Sequence, residues 1–204
     1  MDDTAFDEAM VTAAMALAGR EGWGAVSVPL AAREAGLPLG RARERFCHRL
    51  ALLVKLGELA DRHALVGAPA DGPVRDRLFD LLMRRFDYFN RHREGMRAVL
   101  RDPLAVALMV PAALNSMRWM LAAAGGDTQG LRGRLRAKGL LAVWAWTVRA
   151  WQADDSADLA HTMAELDKAL DRAEQAARSF GDGRVPADQD IPPREERGDT
   201  GEGG

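Results

Sequence analysis

The chain has 204 residues, of which 48% are hydrophobic and 28% charged, with a formal net charge of −2. That length allows one domain of ordinary size or two small ones, and the composition is that of a soluble globular protein. The slightly negative total excludes a chain-wide nucleic-acid signal, so any such signal is local, and the single cysteine, Cys47, excludes an intrachain disulfide and fits a reducing, cytoplasmic setting.

Nearly every segment carries the helical period, and none alternates as a strand does. Phe6, Met10, Ala13 and Leu17 mark one face of a first helix, which ends at GREGWG (19–24). Its acidic start, MDDTAFDEAM, argues against a signal or transit peptide. Ser27 is the expected N-cap of a short helix reaching about Ala35. Gly36 breaks the chain, and a further short helix covers about 38–45. A fourth runs from about Leu50 to Val66, followed by a linker, GAPADGP (67–73).

Phe79, Leu82, Phe86 and Phe89 stripe a helix over about 73–90. Asp102-Pro103 reads as an N-cap with proline at the first helical position, and Pro111 should kink the helix it opens. Asp127 is the expected cap of a long helix ending near Gln152. DDSAD (154–158) should start a last helix with Leu159, Met163, Leu166, Leu170, Ala173 and Ala177 on one stripe. The apolar runs at 103–114 and 139–148 fall short of the ~20 residues that cross a bilayer, so they read as buried helices and no membrane span is expected. The chain thus divides into a three-helix unit (1–50), a larger helical unit (51–180) and an acidic tail (181–204) that should be disordered.

The stretch LPLGRARERFCHR (37–49) holds four arginines behind a glycine turn. Three short helices with that turn between the second and third have the arrangement of a helix-turn-helix, whose last helix enters the DNA major groove. Arg41 and Arg45 lie one turn apart on a shared face, Arg43 lies on the other flank, and Phe46 can turn inward. A planar guanidinium can grip guanine or straddle a phosphate. The competing reading is a solvated helix whose Arg41 and Arg45 pair with Glu44 and Glu34.

Residues 16–53 resemble the N-terminal region of TetR-type transcriptional regulators. The resemblance rests on Gly22-Trp23, Ser27, Ala35-Gly36-Leu37, Gly40, Phe46 and Leu52-Leu53. It implies a dimeric regulator binding a double-stranded DNA operator through Leu39, Gly40, Arg41, Arg43 and Arg45, with Arg49 on phosphate. Where the family's pattern has a tyrosine, a core leucine and an isoleucine, this chain has Arg43, Ala42 and Ala31.

A second cluster is rich in tryptophan: Trp119, Trp144, Trp146 and Trp151, of five in the chain. Around Leu140–Trp146 the helix is apolar on nearly all sides, so it must be covered by core, ligand or a second subunit. Trp144 and Trp151, seven residues apart, should be more buried than Trp146. Residues 117–170 resemble the C-terminal region of the lipid-binding accessory protein of ubiquinone biosynthesis, itself of TetR-like fold, through Gly126-Asp127-Thr128, Trp151, Asp154-Asp155-Ser156 and Asp158 onward. That resemblance implies a cavity for isoprenoid or phospholipid tails and, as an alternative function, a lipid-binding accessory protein with a vestigial helix-turn-helix.

No catalytic constellation is present. His48, His63, His92 and His161 are scattered without metal-binding spacing. Cys47-His48 lacks a third orienting group, and Asp154, Asp155 and Asp158 suit a helix N-terminus better than a cation. No enzyme activity, cofactor or metal is expected. The sequence therefore predicts an all-α, TetR-like, ligand-responsive repressor that forms a homodimer, with an apolar or lipid-like effector in a pocket lined by Phe86, Met117, Met120 and Trp144.

Overall fold

A computed structural model describes residues 1–68 and 71–181, with the side chains of 179–181 left aside; the expected acidic tail lies almost wholly outside the described residues. Among these residues the chain is all-helical: α1 (Asp3–Glu21), α2 (Val28–Glu34), α3 (Leu39–Arg45), α4 (Arg49–Leu65), α5 (Val74–Asn90), α6 (Arg93–Leu100), α7 (Pro103–Ala123), α8 (Gly130–Ala153) and α9 (Ala160–Gly181), with one 3-10 turn at Trp23–Ala25.

Local chemistry fixes several of the helix starts. Asp2 caps α1 by accepting from the Ala5 N–H at 2.7 Å. The Ser27 hydroxyl accepts from Leu30 N at 3.3 Å, and Pro29 sits in the first turn of α2. Asp102 accepts from Leu104 N and Ala105 N at 3.0 and 3.1 Å, with Pro103 opening α7. α7 then runs unbroken through Pro111.

Three starts or spans differ from expectation. α6 has no counterpart among the predicted elements. Asp127 does not cap α8: its carboxylate accepts from Gln129 N at 2.8 Å and pairs with Arg136, and the helix begins at Gly130. DDSAD caps α9 but lies before it: the first helical N–H, of Ala160, donates to the Ser156 hydroxyl at 3.0 Å and to Asp158 Oδ1 at 3.2 Å. Asp154 is buried and accepts from Thr162 N and Thr162 Oγ1, both at 2.7 Å, and from Ser156, while Leu159 turns through φ +56° before the helix opens at Ala160.

α1 lies against α2, α4 and α6, and α8 pairs along α9. The crossing of α1 and α6 is close because Gly95 faces the α1 backbone: a Cβ there would sit 2.4 Å from the Met15 carbonyl oxygen. α6 also closes the end of α8. Arg93 donates to the carbonyls of Trp151 and Asp154, and Arg97 to that of Gln152 at 2.8 Å, satisfying carbonyls the last turn leaves free. One apolar core runs from Phe6 and Trp23 through Leu56 and Phe86 to Leu166 and Leu170. Of the predicted α9 stripe, Met163 and Ala177 are exposed.

α7 is the one helix among the described residues whose length and apolarity would suffice for a membrane crossing, so the expectation that no stretch reaches that length does not hold for it. Ala105, Ser116, Met117, Met120 and Leu121 face the bundle, while Leu104, Leu108 and Trp119 are exposed.

Candidate functional site

The N-terminal head is built around α3. Gly36 adopts φ +64°, a left-handed conformation that favours glycine, and the turn is closed by Leu37 N donating to Ala32 O at 2.8 Å. This turn sets α3 across α2. Ala42 and Phe46 are buried, so the opposite side of α3 faces out. Leu39, Gly40 and Arg43 lie on that outer side, and Arg43 donates to the Cys47 carbonyl at 3.2 Å. Between α2, α3 and the start of α4 is an open groove of about 600 Å³, floored by Val28, Ala42 and Phe46 and rimmed by Arg33, Arg43 and Arg49.

The other arginines of the stretch are engaged with protein. Arg41 lies over the Phe6 ring, 4.4 Å from its centroid, and pairs with Asp3 at 2.5 Å. Arg45 forks onto Asp7 through two bonds of 2.7 Å and reaches Asp3 at 2.8 Å. These ion pairs run to α1 and not to Glu44 or Glu34; Glu34 is held by Arg20 at 2.8 Å. Arg49 donates to the carbonyls of Gly24 and Trp23 at 3.1 and 3.4 Å.

A second concavity, about 630 Å³, lies in the larger helical part between α4, α5, α6, α7 and α8. Phe86 and Trp144 line it, stacked with centroids 4.3 Å apart, beside Phe89 and Trp151. The expected lining residues Met117 and Met120 do not face it. Both are fully buried in the core on the inner side of α7, whose cavity-facing residues are Val106, Met109, Val110, Ala113 and Ser116. Trp144 and Trp151 are buried and Trp146 is 47% exposed, as their spacing implies.

Two ionisable groups sit in this apolar wall. Arg85 is only 4% exposed, packed over Trp144 and Phe89 with Cζ at 4.7 and 5.3 Å from their centroids. Its Nη1 lies 3.3 Å from Asp61 Oδ1, and Asp61 Oδ2 accepts from the Ser116 hydroxyl at 2.6 Å. Burial pushes the Asp61 carboxyl above its ordinary range, with Arg85 and Ser116 pulling it back. Sequence periodicity could not single out Asp61 or Arg85, because each looks like one more charge on an amphipathic helix.

Among the described residues no group of three His, Cys, Asp or Glu side chains is placed to hold a metal. No family model matches the chain, and no curated protein matches it. Solved structures do match. A TetR transcriptional regulator from Nitrosomonas europaea aligns at 21% identity over 83% of this chain and 98% of its own, with a TM-score of 0.66. The chain has the fold of the TetR-type regulators. A second such regulator, from a Rhodococcus species, aligns at 20% identity over 85% of this chain and 97% of its own, TM-score 0.56. The complex of SmeT with triclosan aligns at 16% identity over 82% and 91%, TM-score 0.52.

Proposed function

We propose that this protein is a ligand-responsive transcriptional repressor that binds a double-stranded DNA operator as a homodimer. The observation that carries the reading is the outer side of α3. Leu39, Gly40 and Arg43 are exposed on it, beside a groove rimmed by Arg33 and Arg49, on a fold shared with solved TetR-type regulators. In this reading Arg43 meets base edges or phosphate, and Leu39 and Gly40 lie against the groove wall. Arg41, Arg45 and Arg49 act first as struts: their pairs with Asp3, Asp7 and the Trp23–Gly24 carbonyls set the pose of α3 that DNA meets. Two heads in a symmetric dimer would meet successive major grooves roughly 34 Å apart.

The effector reading rests on the cavity walled by Phe86, Phe89, Trp144 and Trp151, which suits an apolar molecule. That SmeT, of the same fold, is solved with triclosan supports it. α4 runs from the head to this cavity, since its first turn carries Arg49 and its later turns Gly57 and Asp61. An occupant that bound one tilt of α4 better than another would bias the spacing of the heads.

The test is fluorescence anisotropy on DNA from the protein's own upstream region across a salt series, comparing wild type with Arg43→Ala. Sequence-dependent binding is expected, falling with salt on a slope of several ions. Arg43→Ala should weaken it about tenfold or more with unchanged thermal stability. Weak, sequence-independent binding equal in both proteins would favour the lipid-binding accessory reading, in which the head is vestigial.

A further inference from the structure

The polar end of the cavity is unfinished. Among the described residues Arg85 Nε, Arg85 Nη1 and Asp61 Oδ1 are buried and have no hydrogen-bond partner. Nη1 and Oδ1 are 3.3 Å apart, but off the direction a hydrogen bond requires. A buried donor or acceptor left unmade is costly, so such groups are normally satisfied by protein, water or ligand. Here two donors and one acceptor are unmet on one residue pair, in a wall that is largely apolar, with Phe86, Phe89, Trp144 and Val110, and whose uncharged polar members are Asn115, Ser116 and Gln152.

Gly57 contributes to the arrangement. It faces the Arg85 guanidinium, and a Cβ there would already be in contact with Nη2 at 3.8 Å. A larger side chain would press on the guanidinium. Ser116 holds the other carboxylate oxygen of Asp61, which leaves Oδ1 as its one unpartnered oxygen. The charged residues lining the cavity are Glu58, Asp61, Arg85 and Arg149, two of each sign. The lining therefore carries no excess charge to offset that of a guest.

We propose that the cavity receives an uncharged, largely apolar molecule bearing a hydroxyl group, with that hydroxyl seated between Arg85 and Asp61. The proposal rests on reading the cavity as a ligand site. A hydroxyl is the smallest organic group that bridges the pair, because its oxygen accepts from Arg85 Nη1 while its proton goes to Asp61 Oδ1. A carboxylate has no proton to give and would be set against Asp61. An ammonium has no lone pair for Arg85 and would be set against its charge. An ether or ester accepts from Arg85 but leaves Asp61 Oδ1 unmet. The apolar body of the guest lies along the Phe86–Trp144 stack, where removal from water stabilises it.

The experiment uses the full chain without DNA and follows tryptophan fluorescence, since Trp144 is part of the wall. Four probes of similar length are titrated: octan-1-ol, its isomer 1-methoxyheptane, octanoate and octylamine. Octan-1-ol should bind tightest, with each of the others weaker by about tenfold or more, a factor that corresponds to about 1.4 kcal/mol. The double variant Asp61→Leu/Arg85→Met, checked for its fold by circular dichroism and thermal melting, should bind the alcohol and the ether alike. Equal binding of alcohol and ether by wild type would overturn the proposal, because the pair would then be purely structural. Tightest binding of octanoate or of octylamine would overturn it in favour of a site for that charge. Binding of none of the four would also overturn it, since a cavity of about 630 Å³ has room for each. Because no DNA is present, loss of operator binding in the anisotropy test and loss of alcohol selectivity here are separate failures of separate readings.

Discussion

Arg45 of α3 is clamped to Asp7 of α1 by two hydrogen bonds of 2.7 Å, Nε to Oδ1 and Nη2 to Oδ2. Asp7 is 5% exposed, and Lys55 of α4 approaches the same carboxylate at 3.5 Å. One buried charge thus ties together the helix that faces out, the helix beneath it and the helix that runs to the cavity. Fork-on-carboxylate geometry fixes orientation as well as distance.

The clamp predicts strong coupling. In urea unfolding, Asp7→Ala and Arg45→Ala should each destabilise the protein, and a double-mutant cycle should return a coupling of about 1–3 kcal/mol. DNA affinity should fall by a similar factor in either single variant, because both release α3. Additive effects in the cycle would show that the pair is incidental to the placement of α3.

The α1–α6 crossing gives a second prediction with an internal control. Gly95→Ala and Gly19→Ala each replace a helical glycine, a change worth about 1 kcal/mol of added helix propensity in both. At Gly95 the new methyl would meet the Met15 carbonyl oxygen at 2.4 Å, which is rigid backbone, while at Gly19 it would meet Glu94 Cβ at 3.1 Å. Overpacking typically costs about 1–3 kcal/mol. Gly95→Ala should therefore lower the melting temperature clearly, and Gly19→Ala should change it little. A neutral Gly95→Ala would mean that α6 slides freely on α1.

Those two relationships mark the limit of what the sequence discloses. Local signals were legible: Ser27, Gly36 and Asp102-Pro103 each act through neighbours within five residues, so their spacing announces the cap or turn they make. α6 was not. It has eight residues with Gly95 near its middle, and what holds it is its packing on α1 and the bonds of Arg93 and Arg97 to the end of α8. Asp127 and Asp154 both carry the composition of N-caps, but Asp127 is taken by an immediate turn, while Asp154 reaches a first-turn N–H of α9, that of Thr162, from eight residues away. The arginines show the same limit. Their pattern on α3 is local, but their partners Asp3 and Asp7 are 38 residues away, so spacing alone could not tell an outward arginine from a clamped one. Met117 and Met120 are expected to line the pocket, but both are buried away from it. Periodicity does not say whether a buried side chain meets a neighbour or a cavity.

Asp154 should leave a signature in acid. Burial works to raise its pKa, but the hydrogen bonds from Ser156 and Thr162 outweigh it and hold the carboxyl below the ordinary aspartate range. A depressed folded-state pKa contributes stability that is fully present above the unfolded value, about 3.9, and is lost as pH falls through the folded one. Asp154→Asn should cost about 2 kcal/mol at pH 7 by weakening those bonds. The difference from wild type should be constant above about pH 5 and shrink below about pH 4. Chemical denaturation at a series of pH values measures it. A gap that stayed constant to pH 2 would mean that the carboxylate charge is not what holds the α8–α9 junction.

The proposed dimer has a candidate face on α8. Leu131, Leu135, Gly139, Ala142 and Trp146 are all exposed and recur at intervals of four, four, three and four, which places them along one side of the helix. A Cβ at Gly139 would meet nothing within 4 Å, so the middle of this stripe is open to close approach by another helix. Trp146 is kept on the stripe by its indole N–H donating to Glu165 at 3.1 Å. Contiguous exposed apolar surface of this kind marks an interaction site. Light scattering should give wild type twice the mass of the chain, and Leu135→Glu, which sets two like charges across a two-fold interface, should give the monomer with unchanged helix content. Operator binding should then weaken sharply, because one head alone contacts one half-site. A dimeric Leu135→Glu would move the interface off this stripe, and a monomeric wild type that still binds its operator tightly would remove the need for a second head.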